Sequence, residues 1–220
     1  TAFSKTKQYI NFFYKDYLKY NFQVIEIHNR PEYLNYLIKK KVSSKLIFFF
    51  HNNPKEIRGS RTVKERLNIL ENTDKVFFVS QWTKNKFFDG LPFKTKSNCE
   101  ILYPSIKKVK KFNRNKKKQI VFTGKLNSSK GYDLFGNAII KILNKYPQWS
   151  AIVAGNEPRE KYYFKHKNLK IHNWLPHKKI LQIYDNSSIS VVPSKLQEPF
   201  GRTAMESAAH GCATITSNKG

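Results

Sequence analysis

The chain reads as an α/β protein in which short apolar runs alternate with amphipathic helical segments. Three observations predict this. Runs such as "KLIFFF", "KVFFV", "QIVFTG" and "SAIVAG" are of strand length and rich in β-branched or aromatic residues. Segments of helical periodicity stand between them, as parallel βαβ units require. A Lys-rich stretch poor in large apolar residues divides the series into two sets. The expected architecture is a doubly wound parallel sheet in each half.

In chain order, "SKTKQYINFFYKDYLKY" has helical spacing, with Ser4 as a candidate cap. "FQVIEI" (22–27) reads as a strand, and "PEYLNYLIKK" opens with a proline suited to a first helical turn. "KLIFFF" (45–50) has the continuous apolar character of a strand buried on both faces. A charged helix over 60–72 follows, then the strand "KVFFV" (75–79). A helix capped by Ser80 comes next, and then a short strand over 100–103. Residues 104–118 read as a linker. The second half comprises strands at 119–124, 150–155 and 170–174, the helix "GYDLFGNAIIKILNKY" in spite of Gly136, the helix "HKKILQIYDNS", the strand "ISVVPS", a helix "GRTAMESAAHG" closed by Gly211, and the strand "ATITS".

Charge is the outstanding feature of the composition. The formal net charge is +26, and 34 of the 41 basic residues are lysine. A polyanion, an anionic membrane surface, or a generally lysine-rich surface each accounts for it. Bidentate reading of phosphate favours arginine, and the aromatic residues fall inside apolar runs, so a nucleic-acid partner is disfavoured. No apolar run approaches the roughly 18 residues of a membrane-spanning helix. Cys99 and Cys212 have neither metal nor disulfide spacing, which fits a reducing cytoplasm.

In sheets of this kind ligands bind beyond the carboxyl ends of the strands. One such place is the loop "FTGKLNSSKGYD", with Lys125 and Lys130 between Gly124 and Gly131. It can offer a diphosphate two ammonium groups and exposed backbone N–H groups, or be a solvated turn. A second is "EPFGRTAMESAAHG". Pro199 suits a helix start, Gly201, Arg202 and Thr203 fall in a first turn, and Glu198 and Glu206 stand eight positions apart. Glu206 suits a ribose diol and Glu198 sugar hydroxyls; equally, Glu198 is a partner for the helix dipole and Glu206 a surface residue. In the first half, "EIHNRP" and "FFFHNNP" both end strands in His-Asn, placing His28, Asn29, Arg30 and His51 at one sheet edge as a polar cleft. No catalytic triad order, nucleophile elbow or metal constellation is visible.

Taken in order, "EIHNRPEY", "LIFFFHNNP", "KVFFVSQWTKNKF", "ILYPSI", "IVFTGKLNSSKGYDLF" and the long block ending "VVPSKLQEPFGRTAMESAAHGCATITSNKG" resemble the retaining glycosyltransferases of family 4. The resemblance implies the GT-B fold: two Rossmann-like domains, the later part of an acceptor-binding domain over 1–103 and a donor-binding domain over 119–220. A complete member has strands before residue 1 and after Gly220, so a fragment with both domains incomplete is expected. The implied activity is retaining transfer of a sugar from a UDP- or GDP-linked donor to a saccharide or lipid-linked acceptor. Cell-envelope polysaccharide synthesis at the cytoplasmic membrane face is the expected setting. Lys125, where the family usually has arginine, and Lys130 would bind the diphosphate. Glu198 would meet the transferred sugar near its anomeric centre, and Phe200, Gly201 and Arg202 would offer N–H groups. Glu206 would hold the ribose, and His51 would lie near the reaction centre on the acceptor side, beside His28, Asn29 and Arg30. No metal or other cofactor is expected.

Overall fold

The computed structural model describes residues 5–107, 109, 113 and 115–219. The chain divides into two compact units, Thr1–Pro104 and Ser105–Gly220. Ser4, the candidate cap, and part of the linker lie outside the described residues.

The first unit is built from α1 (Lys5–Tyr20), β1 (Val24–His28), α2 (Pro31–Lys39), β2 (Lys45–Phe50), α3 (Val63–Glu71), β3 (Lys75–Phe78), α4 (Gln81–Phe88) and β4 (Cys99–Ile101). Its four strands are parallel and lie in the order β1-β2-β3-β4. Polar caps fix where the helices begin. Thr62 and Glu65 form a reciprocal capping box ahead of α3, with Glu65 N–H donating to Thr62 Oγ1 at 3.2 Å and Thr62 N–H to Glu65 Oε2 at 2.9 Å. Ser80 accepts from Thr83 N–H at the start of α4. The core gathers Leu34, Leu37, Phe48, Phe50, Ile69, Leu70, Val76, Phe78 and Phe87.

Two expectations change here. "KLIFFF" is not buried on both faces: Leu46, Phe48 and Phe50 are buried, whereas Ile47 and Phe49 are only half-buried. The run is continuous because aromatic rings also cover the second face, where Phe49 stacks on Phe77 and His28. The charged helix α3 also turns one charge inward. The guanidinium of Arg66, 2% exposed, donates to the carbonyls of Ser60, Arg61 and Asp89.

The second unit comprises β5 (Lys117–Thr123), α5 (Tyr132–Lys145), β6 (Ser150–Ala154), β7 (Leu169–His172), α6 (His177–Asn186), β8 (Ser187–Val192), α7 (Arg202–Ala209) and β9 (Ala213–Thr216). The five strands are parallel in the order β7-β6-β5-β8-β9. Strand β5 starts two residues earlier than the apolar pattern indicates, because Lys117 already pairs with Ser187. Both faces carry packed side chains. Phe122, Tyr132, Phe135, Ile139, Leu143 and Val153 pack on one side; Val121, Tyr184 and Cys212 pack with Ile180 and Leu181 on the other. Gly136 sits inside α5 because a Cβ there would fall 2.0 Å from the ring of Phe164. Lys116 secures the opposite end of the sheet, its ammonium donating to the carbonyls of Tyr184, Asp185 and His210.

The strand order reverses between β5 and β8. Crossovers leave these two neighbouring strands on opposite sides, which opens a crevice at their carboxyl ends. The candidate residues of the second unit stand at these strand ends.

Candidate functional site

The loop after β5 passes through Gly124 and exposed Lys125 to a single 3-10 turn, Ser128–Lys130. Asn127 caps this turn, its Oδ1 accepting from Lys130 N–H and from the Ser129 hydroxyl, each at 3.0 Å. Gly131 follows in the left-handed region at φ 71°, and a Cβ there would lie 2.0 Å from the Pro193 carbonyl oxygen. The loop is therefore seated directly on the backbone that leaves β8. Lys195 N–H donates to the Ser129 carbonyl at 3.0 Å, and the Lys195 ammonium reaches Asp133 at 2.6 Å and the Ser128 hydroxyl at 3.3 Å.

Across this seam Lys130 forms an ion pair with Glu198, whose Oε1 also accepts from the Ser194 hydroxyl at 2.6 Å. Two residues that the sequence separates by 68 positions thus meet at the reversal between β5 and β8. Lys125 makes no ion pair or hydrogen bond among the described residues. It does reinforce the low pKa of Glu157, which is held down to about 2, first by hydrogen bonds from Arg159.

The second part of the site is helix α7. It begins at Arg202, with Gly201 as N-cap at φ 78° and no side-chain cap. Pro199 therefore lies outside the helix and Gly201 precedes its first turn, unlike the sequence expectation. The left-handed Gly201 turns the chain just before the helix, so the proline is spent on the approach. A Cβ at Gly201 would meet open space, and half-buried Phe200 precedes it. The first-turn N–H groups of such a helix end carry its positive field and suit an anion.

Glu206, one turn further on, is 9% exposed. Its Oε1 accepts from Arg202 Nη2 at 3.0 Å and lies 3.2 Å from His177 Nε2. The carboxylate lines a cavity of about 310 Å³ shared with His177, Leu181, Arg202, His210 and the segment around Ser105–Lys107. Glu198 and Glu206 are thus held by separate partner sets, one with Lys130 and Ser194, the other with Arg202 and His177. The surface-residue alternative for Glu206 does not survive its burial.

His177 was not foreseen from sequence. "LPHKKI" did carry a signal, since a histidine at the first position of a helix looks out from that helix's N-terminus. Only the fold could set it beside Glu206.

In the first unit β1 and β2 bring the two strand-end histidines together. His28 Nδ1 lies 2.8 Å from His51 Nε2, and the rings are stacked at 5.1 Å. Asn29, in the left-handed region at φ 55°, accepts from His51 N–H at 2.8 Å. Arg30 takes the N-cap position of α2 and lies beside Tyr33. Partial burial, and secondarily the charge of His28, holds His51 below the ordinary imidazole value. No group of three metal-ligating side chains occurs among the described residues.

Two parallel sheets with helices on their faces, and an anion-suited helix end at the strand reversal of the second, define a Rossmann-like protein of the GT-B class. Residues 105–220 match the family described as "Glycosyl transferases group 1", and the chain belongs to that family. It is 24% identical to the putative glycosyltransferase YtcC of Bacillus subtilis over 91% of its own length, spanning 56% of that relative. Among solved structures it resembles a sucrose-phosphate synthase from Thermosynechococcus elongatus (TM-score 0.74, 16% identity, 100% of this chain and 63% of that one). It also resembles Anabaena HepE in complex with UDP and glucose (TM-score 0.72, 15% identity, 100% of this chain and 66% of that one). The chain therefore spans less than two thirds of each of these relatives.

Proposed function

We propose that this protein transfers a sugar, with retention, from a UDP- or GDP-linked donor to a saccharide or lipid-linked acceptor. The observation that carries this reading is the meeting of Lys130 and Glu198 beside the uncapped start of α7, with Glu206 buried in a cavity wall nearby in sequence. In this reading residues 119–220 hold the donor and residues 1–103 carry the acceptor contacts. Lys125 and Lys130 neutralise the diphosphate, and backbone N–H groups around Phe200, Gly201 and Arg202 take its oxygens. Glu198 receives hydroxyls of the transferred sugar. Glu206 accepts from the ribose diol through Oε2, because Oε1 is taken up by Arg202 and His177. The neighbouring structure of HepE holds UDP and glucose, which supports a donor of this class.

The chemical step needs positive charge where the leaving diphosphate gains electrons and negative charge near the oxocarbenium-like carbon. Prepositioned lysines and helix N–H groups lower the barrier for the first, and the Glu198 carboxylate suits the second. In this reading His51 serves the acceptor side. The lysines supply the cationic role without a metal.

The net charge of +26 supports peripheral residence on an anionic membrane face, where lipid-linked acceptors and cell-envelope synthesis are found. No described helix is long and apolar enough to cross a membrane. Titration with a panel of nucleotide sugars tests the donor reading. Glu206→Ala is expected to weaken binding about tenfold or more, as loss of a charged hydrogen bond does; unchanged affinity would overturn the ribose role.

A further inference from the structure

The two histidines of the first unit do not stand alone. Glu26 and His28 alternate along β1 and so share one face of the sheet. Glu26 Oε2 lies 3.5 Å from His28 Nε2, and His28 Nδ1 lies 2.8 Å from His51 Nε2. The line carboxylate, imidazole, imidazole is held in place from both sides. His28 stacks on Phe49 at 4.6 Å, Phe49 stacks on Phe77 at 5.0 Å, and Asn29 pins the backbone of His51.

Hydrogen placement along this line follows from donor and acceptor rules. At 3.5 Å Glu26 makes no hydrogen bond to the ring, but its negative charge favours a hydrogen on the nearer nitrogen, His28 Nε2. A neutral ring protonated at Nε2 has a bare Nδ1, which must accept. The hydrogen shared at 2.8 Å then belongs to His51 Nε2. His51 Nδ1 is left with its lone pair, and it has no hydrogen-bond partner among the described residues.

We propose that Glu26 and His28 are positioning residues that hold His51 in its Nε2–H tautomer, presenting Nδ1 as a hydrogen-bond acceptor to a substrate hydroxyl. The proposal rests on the glycosyl-transfer reading for the identity of that hydroxyl, but the tautomer does not. Partial burial, which holds His51 below the ordinary imidazole value, keeps its ring neutral and able to accept while His28 is neutral too.

Imidazole 15N NMR of the intact protein, without donor and at mildly alkaline pH, tests it. In the unaltered protein His51 Nε2 should show the shift of a protonated ring nitrogen and Nδ1 that of a bare one. His28→Ala should move both toward averaged values. His28→Asn, whose Oδ1 stands near the position of Nδ1, should restore the separation. With a nucleotide-sugar donor, His28→Ala should lower kcat about tenfold, within the range for general acid–base groups, leave the donor KM unchanged, and be rescued by His28→Asn. An Nδ1–H tautomer at His51, or shifts indifferent to His28→Ala, would overturn the proposal whatever the donor. The expected tautomer in a protein that binds no nucleotide sugar would instead overturn the glycosyl-transfer reading.

Discussion

At the scale of the residue, Lys130 and Glu198 balance one another as an ion pair. In the proposed donor-binding reading a diphosphate shares or displaces that contact, so the two substitutions should differ. Lys130→Ala removes the cation and should weaken donor binding about tenfold or more, as loss of a charge-assisted hydrogen bond does. Glu198→Gln frees Lys130 for phosphate, so UDP or GDP affinity should be kept or rise while turnover collapses. Calorimetry beside a turnover assay separates the two outcomes. Glu157 makes a second residue-scale case. Arg159 donates to both of its oxygens, at 2.6 and 2.7 Å, and its pKa falls from 4.5 to about 2. A depressed carboxylate stabilises the fold above its unfolded pKa and loses that contribution as pH falls through its folded one. Arg159→Ala should therefore lower stability at neutral pH, and the gap from the unaltered protein should narrow between pH 4.5 and about 2. Chemical denaturation at stepped pH measures this.

At the scale of the element, α3 illustrates what the sequence could and could not convey. Its start is written in Thr62 and Glu65, and its capping box is worth testing directly: Thr62→Ala should cost about 1 kcal/mol in a denaturation series. Its buried charge is not visible in sequence, since Arg66 looks like any surface arginine until the carbonyls of Ser60, Arg61 and Asp89 are placed around it. Arg66→Leu leaves those carbonyls unpaired and should cost about 3 kcal/mol. Strands were legible because short, β-branched and aromatic runs such as "KVFFV" suit a buried strand, although many of their ends moved by one or two residues. The ends moved because pairing with a neighbour, not hydropathy, decides the last strand residue, as Lys117 and His28 show. Residue chemistry left a solvated turn open for Lys130 and a dipole partner open for Glu198; only the family resemblance gave these two a binding role. His177 could not be found by either route, because its contact with Glu206 depends on how α6 and α7 pack.

At the scale of the whole molecule, the lysine excess makes ionic strength the informative variable. Peripheral membrane attachment predicts co-sedimentation with vesicles containing anionic lipid, falling steeply as salt is raised. Neutral vesicles should bind little at any salt. Tight, salt-sensitive retention on DNA or RNA that exceeds retention on anionic vesicles would favour the polyanion reading instead. The fold could be anticipated at this scale because alternation of strand and helix leaves few topologies. The strand order β7-β6-β5-β8-β9, which locates the crevice, could not, because nothing local in a strand says which neighbour it will take.

The seating of Gly131 on Pro193 has a counterpart at Gly155, where a Cβ would fall 1.7 Å from the Gly124 carbonyl oxygen. Both contacts are between main chains, so no rotamer change can relieve them. In a saturation library selected for folded protein, these two positions should come through as columns containing glycine alone, while the open Gly201 tolerates at least asparagine. Any redesign of the loops after β5 and β6 must therefore keep Gly131 and Gly155, whatever is changed at the side chains around them.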